Sequence, residues 1–89
     1  MQFEWDEKKR ESNLLTKGID FSIASDFKWD EALTIEDTRH DYSEPRFLSY
    51  APIADRLYAM VWTQRGISRR IISLRRANKR EVLKYEYET

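Results

Sequence analysis

The chain has 89 residues, with two Gly, two Pro, one His and no Cys. Natural domains cluster at about 100–150 residues, so this length predicts that residues 1–89 form a single domain. The absence of Cys excludes disulfides, thiolate zinc sites and Cys nucleophiles, and one His excludes a His-rich metal site. No apolar run approaches the roughly 20 residues that cross a bilayer, and no basic segment precedes an apolar one at the N-terminus. We therefore expect a cytoplasmic protein without a signal peptide.

The formal net charge of zero conceals a division between the two halves of the chain. Residues 1–44 hold six Lys or Arg and twelve Asp or Glu, whereas residues 45–89 hold ten and four. Residues 65–80 carry seven cations and no acid. Such a stretch is a candidate phosphate-binding surface, although ion pairing with the acidic half is the plainer explanation.

The first third of the chain predicts a strand and two helices. Residues 2–5 alternate as a strand does, and Asp6 can cap a helix that runs to about Lys17 and stops at Gly18. Asp20 can cap a second helix that ends near Trp29. Its apolar stripe comes from residues at three-residue spacing, namely Phe21, Ala24 and Phe27.

Four strand-like stretches follow, at residues 32–36, 46–51, 57–63 and 69–75. The third is apolar on both faces, which predicts a central strand. Strict alternation places Ile72 and Leu74 of the fourth on one face, and Arg69, Ile71, Ser73 and Arg75 on the opposite face. Gly66 favours a hairpin between the third and fourth strands.

The last predicted element is a helix over residues 79–87. Asn78 can cap it, and Glu81 completes the spacing of a capping box. The element order is then β-α-α-β-β-β-β-α. This order favours an α+β fold in which helices pack on an antiparallel sheet.

Common catalytic signatures are absent, since there is no Gly-rich phosphate loop, metal-binding His pair or nucleophile elbow. Two charged segments remain. Residues 37–46 hold an imidazole, three carboxylates and two guanidinium groups. This composition suits either an ion-paired loop or a cluster for acid/base chemistry and anion binding. Residues 69–77 alternate cations with apolar residues, which suits either a charged edge strand or a phosphate-binding strand.

The chain resembles the BrnT family of bacterial toxins, which belong to type II toxin–antitoxin systems. The resemblance rests on an ordered series of residues and not on any single motif. The series includes Phe3, Trp5, Asp6, Lys9, Asn13, Gly18-Ile19-Asp20-Phe21, Ala24, Phe27, Asp37, Arg39, Tyr42, Glu44, Arg46-Phe47, Trp62-Thr63, Arg65-Gly66, Arg70-Ile71-Ile72-Ser73, Arg75, Ala77, Glu81 and Tyr85.

The resemblance implies a compact RelE-type fold and a ribonuclease activity that needs no metal or other cofactor. It also implies neutralisation by a BrnA-type antitoxin, whose ribbon-helix-helix part binds promoter DNA. In such a reaction an RNA 2′-hydroxyl attacks the adjacent phosphate and expels the 5′-oxygen, so the protein must stabilise phosphoryl charge and move two protons.

Site residues follow from this chemistry as expectations. Arg46 and Arg75 are the expected phosphate clamps, Glu44 or His40 the base, and Lys17 an electrostatic helper. The expected contacts to the RNA backbone are Arg65, Arg69, Arg70, Arg76, Lys79 and Arg80.

Two departures from the family pattern leave an alternative open. Many members have Lys-His-Gly where this chain has Thr16-Lys17-Gly18, and Lys17 cannot replace a His in proton transfer near neutral pH. Many members also have Gly at the position of Ser43. The alternative is a degenerate toxin that binds nucleic acid or an antitoxin without cleaving RNA. A third possibility is a structural adaptor that self-associates through its charge split.

Overall fold

Two α-helices, two short 3₁₀ helices and five strands make up the protein in a computed structural model, which describes residues 1–39 and 41–89. In chain order the elements are β1 (Gln2–Trp5), α1 (Glu7–Lys17), 3₁₀ helices at Phe21–Asp26 and Trp29–Glu31, β2 (Leu33–Glu36), β3 (Phe47–Ile53), β4 (Arg56–Arg65), β5 (Ser68–Arg76) and α2 (Lys79–Glu88). Within the described part of the chain, no helix has the length and apolar character needed to cross a membrane.

Both α-helices begin at the residues that the sequence predicts. The Asp6 carboxylate accepts a hydrogen bond from the Lys8 backbone N–H at 3.0 Å, and α1 ends at Gly18, whose φ is 70°. Glycine suits that left-handed conformation because it has no Cβ. Asn78 and Glu81 form the predicted capping box at the start of α2.

The predicted second α-helix is instead a pair of 3₁₀ helices. Asp20 does cap the first of them, accepting from the Ser22 backbone N–H at 3.0 Å. In a 3₁₀ helix residues three apart lie above one another, so the three-residue spacing seen in the sequence is the period of this tighter helix. Phe21 and Ala24 are buried as a result.

The five strands form one sheet in the order β1-β5-β4-β3-β2. The strand β4 is central, as its apolar pattern predicts. The sheet is mixed, not antiparallel, because β1 pairs with β5 in the parallel direction. These two strands are far apart in the sequence, so no hairpin fixes their relative direction, whereas β2 to β5 are joined as antiparallel neighbours.

A β-bulge in β5 changes which side chains share a face. The pairing with β4 shifts between Val61 and Trp62, where the register moves from Val61–Ser73 to Trp62–Ile71. The extra residue in β5 is Ile72. Ile71, and not Ile72, therefore lies buried on the same side as Leu74, which corrects the faces predicted by strict alternation.

The hydrophobic core lies on one side of the sheet, which we call the covered face. Phe21, Met60, Ile71 and Leu74 are fully buried there beneath the first 3₁₀ helix and α1. Asn13 of α1 is also buried, and its side chain bonds both the N–H and the C=O of Leu74, at 3.2 and 2.7 Å. The pairing of β1 with β5 ends at Ile71, and the Asn13 side chain therefore supplies hydrogen-bond partners for the backbone of β5 at Leu74.

Candidate functional site

The opposite side of the sheet, which we call the open face, carries four of the eight charged strand residues, namely Glu4, Arg65, Arg70 and Arg75. Paired residues of adjacent strands point to the same side of a sheet, so the pairing register shows which residues lie on the open face. Three successive rows cross it, namely Tyr50–Ala59–Arg75, Leu48–Val61–Ser73 and Thr63–Arg70–Glu4. The first and third rows are four residues apart along β4, or about 13 Å at the usual rise per strand residue.

The bulge brings Arg70 and Arg75 to this one face. An odd separation of five residues would place them on opposite sides of a regular strand. Because Ile72 is inserted, Arg70 pairs with Thr63 and Arg75 with Ala59, which share a side of β4. Two of the predicted phosphate-binding guanidinium groups consequently occupy the open face together.

At one end of the open face, Arg75 and Tyr50 meet the first turn of α2. Both terminal nitrogens of Arg75 donate to the Glu81 carboxylate, at 2.7 and 2.8 Å, and the Tyr50 hydroxyl donates to it at 3.0 Å. Hydrogen bonds from Arg75 hold the pKa of Glu81 at about 2. Burial, followed by the Glu81 hydrogen bond, raises the pKa of Tyr50, while Arg75 and Arg39 oppose that rise.

Arg39 supplies a second guanidinium, whose charge acts on both Tyr50 and Arg75. It forms a two-point pair with Asp37, with nitrogen–oxygen distances of 2.9 and 2.9 Å. Asp37 is buried and also accepts from the Tyr42 hydroxyl at 3.3 Å. The hydrogen bond from Arg39 is the main reason that the pKa of Asp37 falls to about 2, so this pair stays charged at neutral pH.

The far end of the open face holds two further arginine–carboxylate pairs. Arg65 grips both oxygens of Glu44 at 2.9 Å, and Arg70 donates to Glu4 at 2.7 Å. The hydrogen bonds from Arg65 lower the pKa of Glu44, and the charges of Arg46 and Arg70 lower it further. Glu44 is therefore an ionised partner of arginines, a setting that does not suit a general base working near neutral pH.

Arg46 differs from these arginines in its contacts. Its guanidinium lies over the Tyr42 ring, 4.3 Å from the centroid, and no carboxylate within the described part of the chain accepts a hydrogen bond from it. Its buried Nε has no hydrogen-bond partner there either. Of the two predicted clamps, Arg46 thus has unused donors, whereas Arg75 is engaged by Glu81.

Lys17 lies beside the open face. It ends α1 and lines a shallow groove of about 150 Å³ together with Asn13, Ile72 and Ser73. Ser73 belongs to the middle row of the open face, next to Arg75 in the chain. Lys17 is exposed and shares this groove with Ser73.

Two other predicted RNA contacts, Arg69 and Arg76, lie on the covered side of the sheet. The guanidinium of Arg69 is enclosed by two indole rings on the covered face, 4.1 Å from Trp29 and 4.3 Å from Trp62. Arg76 lines a separate groove of about 510 Å³ between α2 and the β3–β4 turn. Lys79 and Arg80 are exposed in the first turn of α2. The candidate base His40 lies outside the described residues.

Sequence reasoning missed three residues that the fold brings to this site, namely Tyr50, Glu81 and Arg39. Tyr50 and Arg75 flank Ala59 in one row, and only the strand register shows this. Glu81 has a predicted role in helix capping and a place in the family series, but the sequence predicts no role for it in the site. In residues 1–39 and 41–89, no three acidic, His or Cys side chains are grouped as metal ligands.

An α+β domain with five arginines and a Tyr hydroxyl around one open sheet face is typical of a protein that binds a phosphate-bearing strand. The model of the BrnT family, described as the ribonuclease toxin of a type II toxin–antitoxin system, matches residues 5–81. The chain belongs to this family. Membership implies RNA as the target and an antitoxin as the partner. No curated protein matches the chain.

Proposed function

We propose that this chain is a metal-independent endoribonuclease toxin of the RelE type that cleaves RNA on the open face and so inhibits translation and growth. The observation that carries the proposal is the convergence of Arg39, Arg46, Arg65, Arg70 and Arg75 around that face in a chain of the BrnT family.

In the proposed reaction, the RNA 2′-oxygen forms a bond to the adjacent phosphorus and the bond to the 5′-oxygen breaks. The 2′-hydroxyl gives its proton to a base, and the departing 5′-oxygen receives one. Negative charge builds up on the phosphoryl oxygens, and guanidinium groups stabilise it through paired hydrogen bonds. Arginines can therefore supply the electrostatic stabilisation for which other nucleases use a metal.

We assign Arg46 and Arg75 as the clamps on the scissile phosphate. Arg46 is partly exposed and its guanidinium forms no ion pair within the described chain, and Arg75 stands on the open face. Of the two candidate bases, His40 is favoured over Glu44, because Glu44 is paired with Arg65 and its pKa is lowered. Lys17 serves as an electrostatic helper near Ser73.

The remaining cations would follow the RNA backbone away from the cleaved linkage. Arg65 and Arg70 are suited to this at the far end of the open face, where they are partly exposed. Lys79, Arg80 and Arg76 offer exposed charges at the start of α2. Arg69 is enclosed by tryptophans and would contribute to the core instead.

We further propose that a BrnA-type antitoxin neutralises the chain by covering the open face. Its ribbon-helix-helix part would bind promoter DNA, so the toxin would reach that DNA through the antitoxin alone. Support comes from the family, whose members belong to toxin–antitoxin systems.

Expression of the chain from a tightly controlled promoter tests this function. Wild type is expected to arrest growth, and the double variant Arg46→Ala/Arg75→Ala is expected to relieve the arrest at equal protein level. Arg56→Ala, an exposed change in the β3–β4 hairpin, is the matched control and should remain toxic. Purified protein should cleave RNA in excess EDTA. Harmless wild type that leaves RNA intact would refute the enzyme assignment.

Two observations favour the non-catalytic alternative, a degenerate toxin that binds nucleic acid or its antitoxin. Lys17 stands where many members have His, and Arg75 already has a carboxylate partner. This alternative predicts RNA binding that weakens steeply with salt and no cleavage at any pH.

A further inference from the structure

Glu81 is the residue through which α2 touches the open face. Its Oε1 accepts from Arg75 Nη1 at 2.7 Å and from the Asn78 backbone N–H at 2.9 Å. Its Oε2 accepts from Arg75 Nη2 at 2.8 Å and from the Tyr50 hydroxyl at 3.0 Å. One carboxylate thus joins the strands β3 and β5 to the helix.

Helix capping accounts for only one of these four hydrogen bonds. In a capping box the Glu side chain needs to reach no further than the backbone N–H of the capping residue, which here is Asn78. The other three bonds go to Arg75 and Tyr50. These two residues stand on either side of Ala59, whose small side chain leaves space between them.

We propose that Glu81 is a positioning residue of the RNA-cleaving site, which holds Arg75 and Tyr50 in fixed orientations across the sheet. This inference rests on the proposed function. It means that the site is assembled from the sheet and α2 together, and not from the sheet alone.

The hydrogen-bond pattern shows what the carboxylate leaves available. A guanidinium has five N–H groups, and Glu81 takes one from each terminal nitrogen of Arg75. The Arg76 carbonyl accepts a further weak bond from Nη1 at 3.4 Å. Within residues 1–39 and 41–89 no acceptor bonds Nε of Arg75, and the edge formed by Nε and the second hydrogen of Nη2 has the geometry of a two-point contact with phosphate. Glu81 therefore orients the clamp without occupying all of it.

The charge state of Glu81 agrees with a positioning role. The hydrogen bonds from Arg75 hold its pKa at about 2, so the carboxylate is ionised at neutral pH and has little capacity to accept the proton of a 2′-hydroxyl. Its side chain is only 15% exposed, which limits competition from water.

Glu81→Gln tests the proposal, with Tyr85→Phe as the matched control. Tyr85 also ties α2 to an earlier segment, because its hydroxyl donates to the Glu31 carbonyl at 2.6 Å and not to Arg75 or Tyr50. Glu81→Gln keeps one acceptor oxygen, which can still cap Asn78, but it loses the negative charge and the second acceptor that pair with Arg75 and Tyr50. Tyr85→Phe removes a hydrogen bond of the helix without changing any bond to Arg75 or Tyr50.

The measurements are the single-turnover cleavage rate of a fluorescein-labelled RNA oligonucleotide and the Kd of its 2′-O-methyl analogue. Glu81→Gln is expected to slow cleavage by about 10- to 100-fold, the size of effect that a small misplacement produces, with a change in Kd below about threefold. Tyr85→Phe should stay within about twofold of wild type. Equal losses in both variants, or full activity in Glu81→Gln, would overturn the proposal.

A second readout separates this inference from the proposed function. The Nε–H resonance of Arg75 and the titration of Tyr50, followed by NMR, report positioning without any cleavage. Both should change in Glu81→Gln and stay the same in Tyr85→Phe. Wild type that fails to cleave RNA would end the proposed function, while unchanged NMR signals in a folded Glu81→Gln would end the positioning role.

Discussion

The two faces of the sheet are stabilised in different ways. On the covered face, Met60, Ile71 and Leu74 are fully buried among aromatic rings. On the open face, arginines are paired with carboxylates and keep part of their surface in water. Burial of apolar groups stabilises a fold far more than exposed ion pairs do. The covered face therefore provides most of the stability, although Tyr50, Ala59 and Thr63 on the open face are buried as well.

Consecutive arginines show the same contrast at the level of single residues. Arg69 lies between two tryptophan rings, and burial lowers its pKa. Arg70, the next residue, points to the other side and pairs with the partly exposed Glu4. Alternation along one strand thus places two arginines in different environments, one packed against tryptophan rings and one paired with a carboxylate.

The largest expected effect is on the covered face. Leu74→Ala should lower the free energy of unfolding by about 2–5 kcal/mol, because it removes a fully buried side chain and leaves a cavity. Ile72→Ala, two residues away at the bulge, should cost about 1 kcal/mol because Ile72 is only half-buried. Urea denaturation measures both values. Similar losses of unfolding free energy in the two variants would contradict the assignment of Leu74, and not Ile72, to the covered face.

The next prediction compares the adjacent arginines directly. Arg69→Ala should cost about 1–2 kcal/mol of stability, since it removes a cation–π contact with two rings, and should leave RNA affinity nearly unchanged. Arg70→Ala should reduce the slope of log K against log salt by about 0.7, as expected for one lost phosphate contact on a single strand.

Fluorescence anisotropy with the 2′-O-methyl RNA across a salt series, alongside urea denaturation, measures both quantities. Weaker RNA binding in Arg69→Ala than in Arg70→Ala would show that the covered side also contacts RNA.

The smallest expected effect concerns the loss of folding stability in acid. We expect ion pairs of the open face to cause most of this loss. The pKa of Asp37 is about 2 in the folded chain, below its ordinary value of 3.8. The stabilisation from its pairing with Arg39 is therefore complete above about pH 4 and is lost as the pH falls towards 2. Asp37→Asn should lack this part of the pH dependence in urea denaturation between pH 2 and 7. Glu36→Gln, at an exposed neighbour, is the control, and an equal flattening there would contradict the prediction.

Local signals in the sequence predicted the local elements correctly. Asp6 and Gly18 define the ends of α1, Asn78 begins α2, and the apolar pattern of residues 57–63 marks the central strand. These features depend on neighbours in the chain, such as a cap that bonds a backbone N–H two or three residues away. The same local reasoning mistook the 3₁₀ segment for an α-helix, because residues three apart share a face in both types of helix.

The sequence by itself determined the caps, the central strand, the family and the arginine-rich character of the second half. Only the tertiary structure decided the parallel pairing of β1, the bulge at Ile72 and the meeting of Tyr50, Arg75 and Glu81. The physical reason is that these features depend on contacts between segments far apart in the chain. A one-residue shift in register moves every following side chain to the other face, and the local sequence pattern does not predict where such a shift occurs.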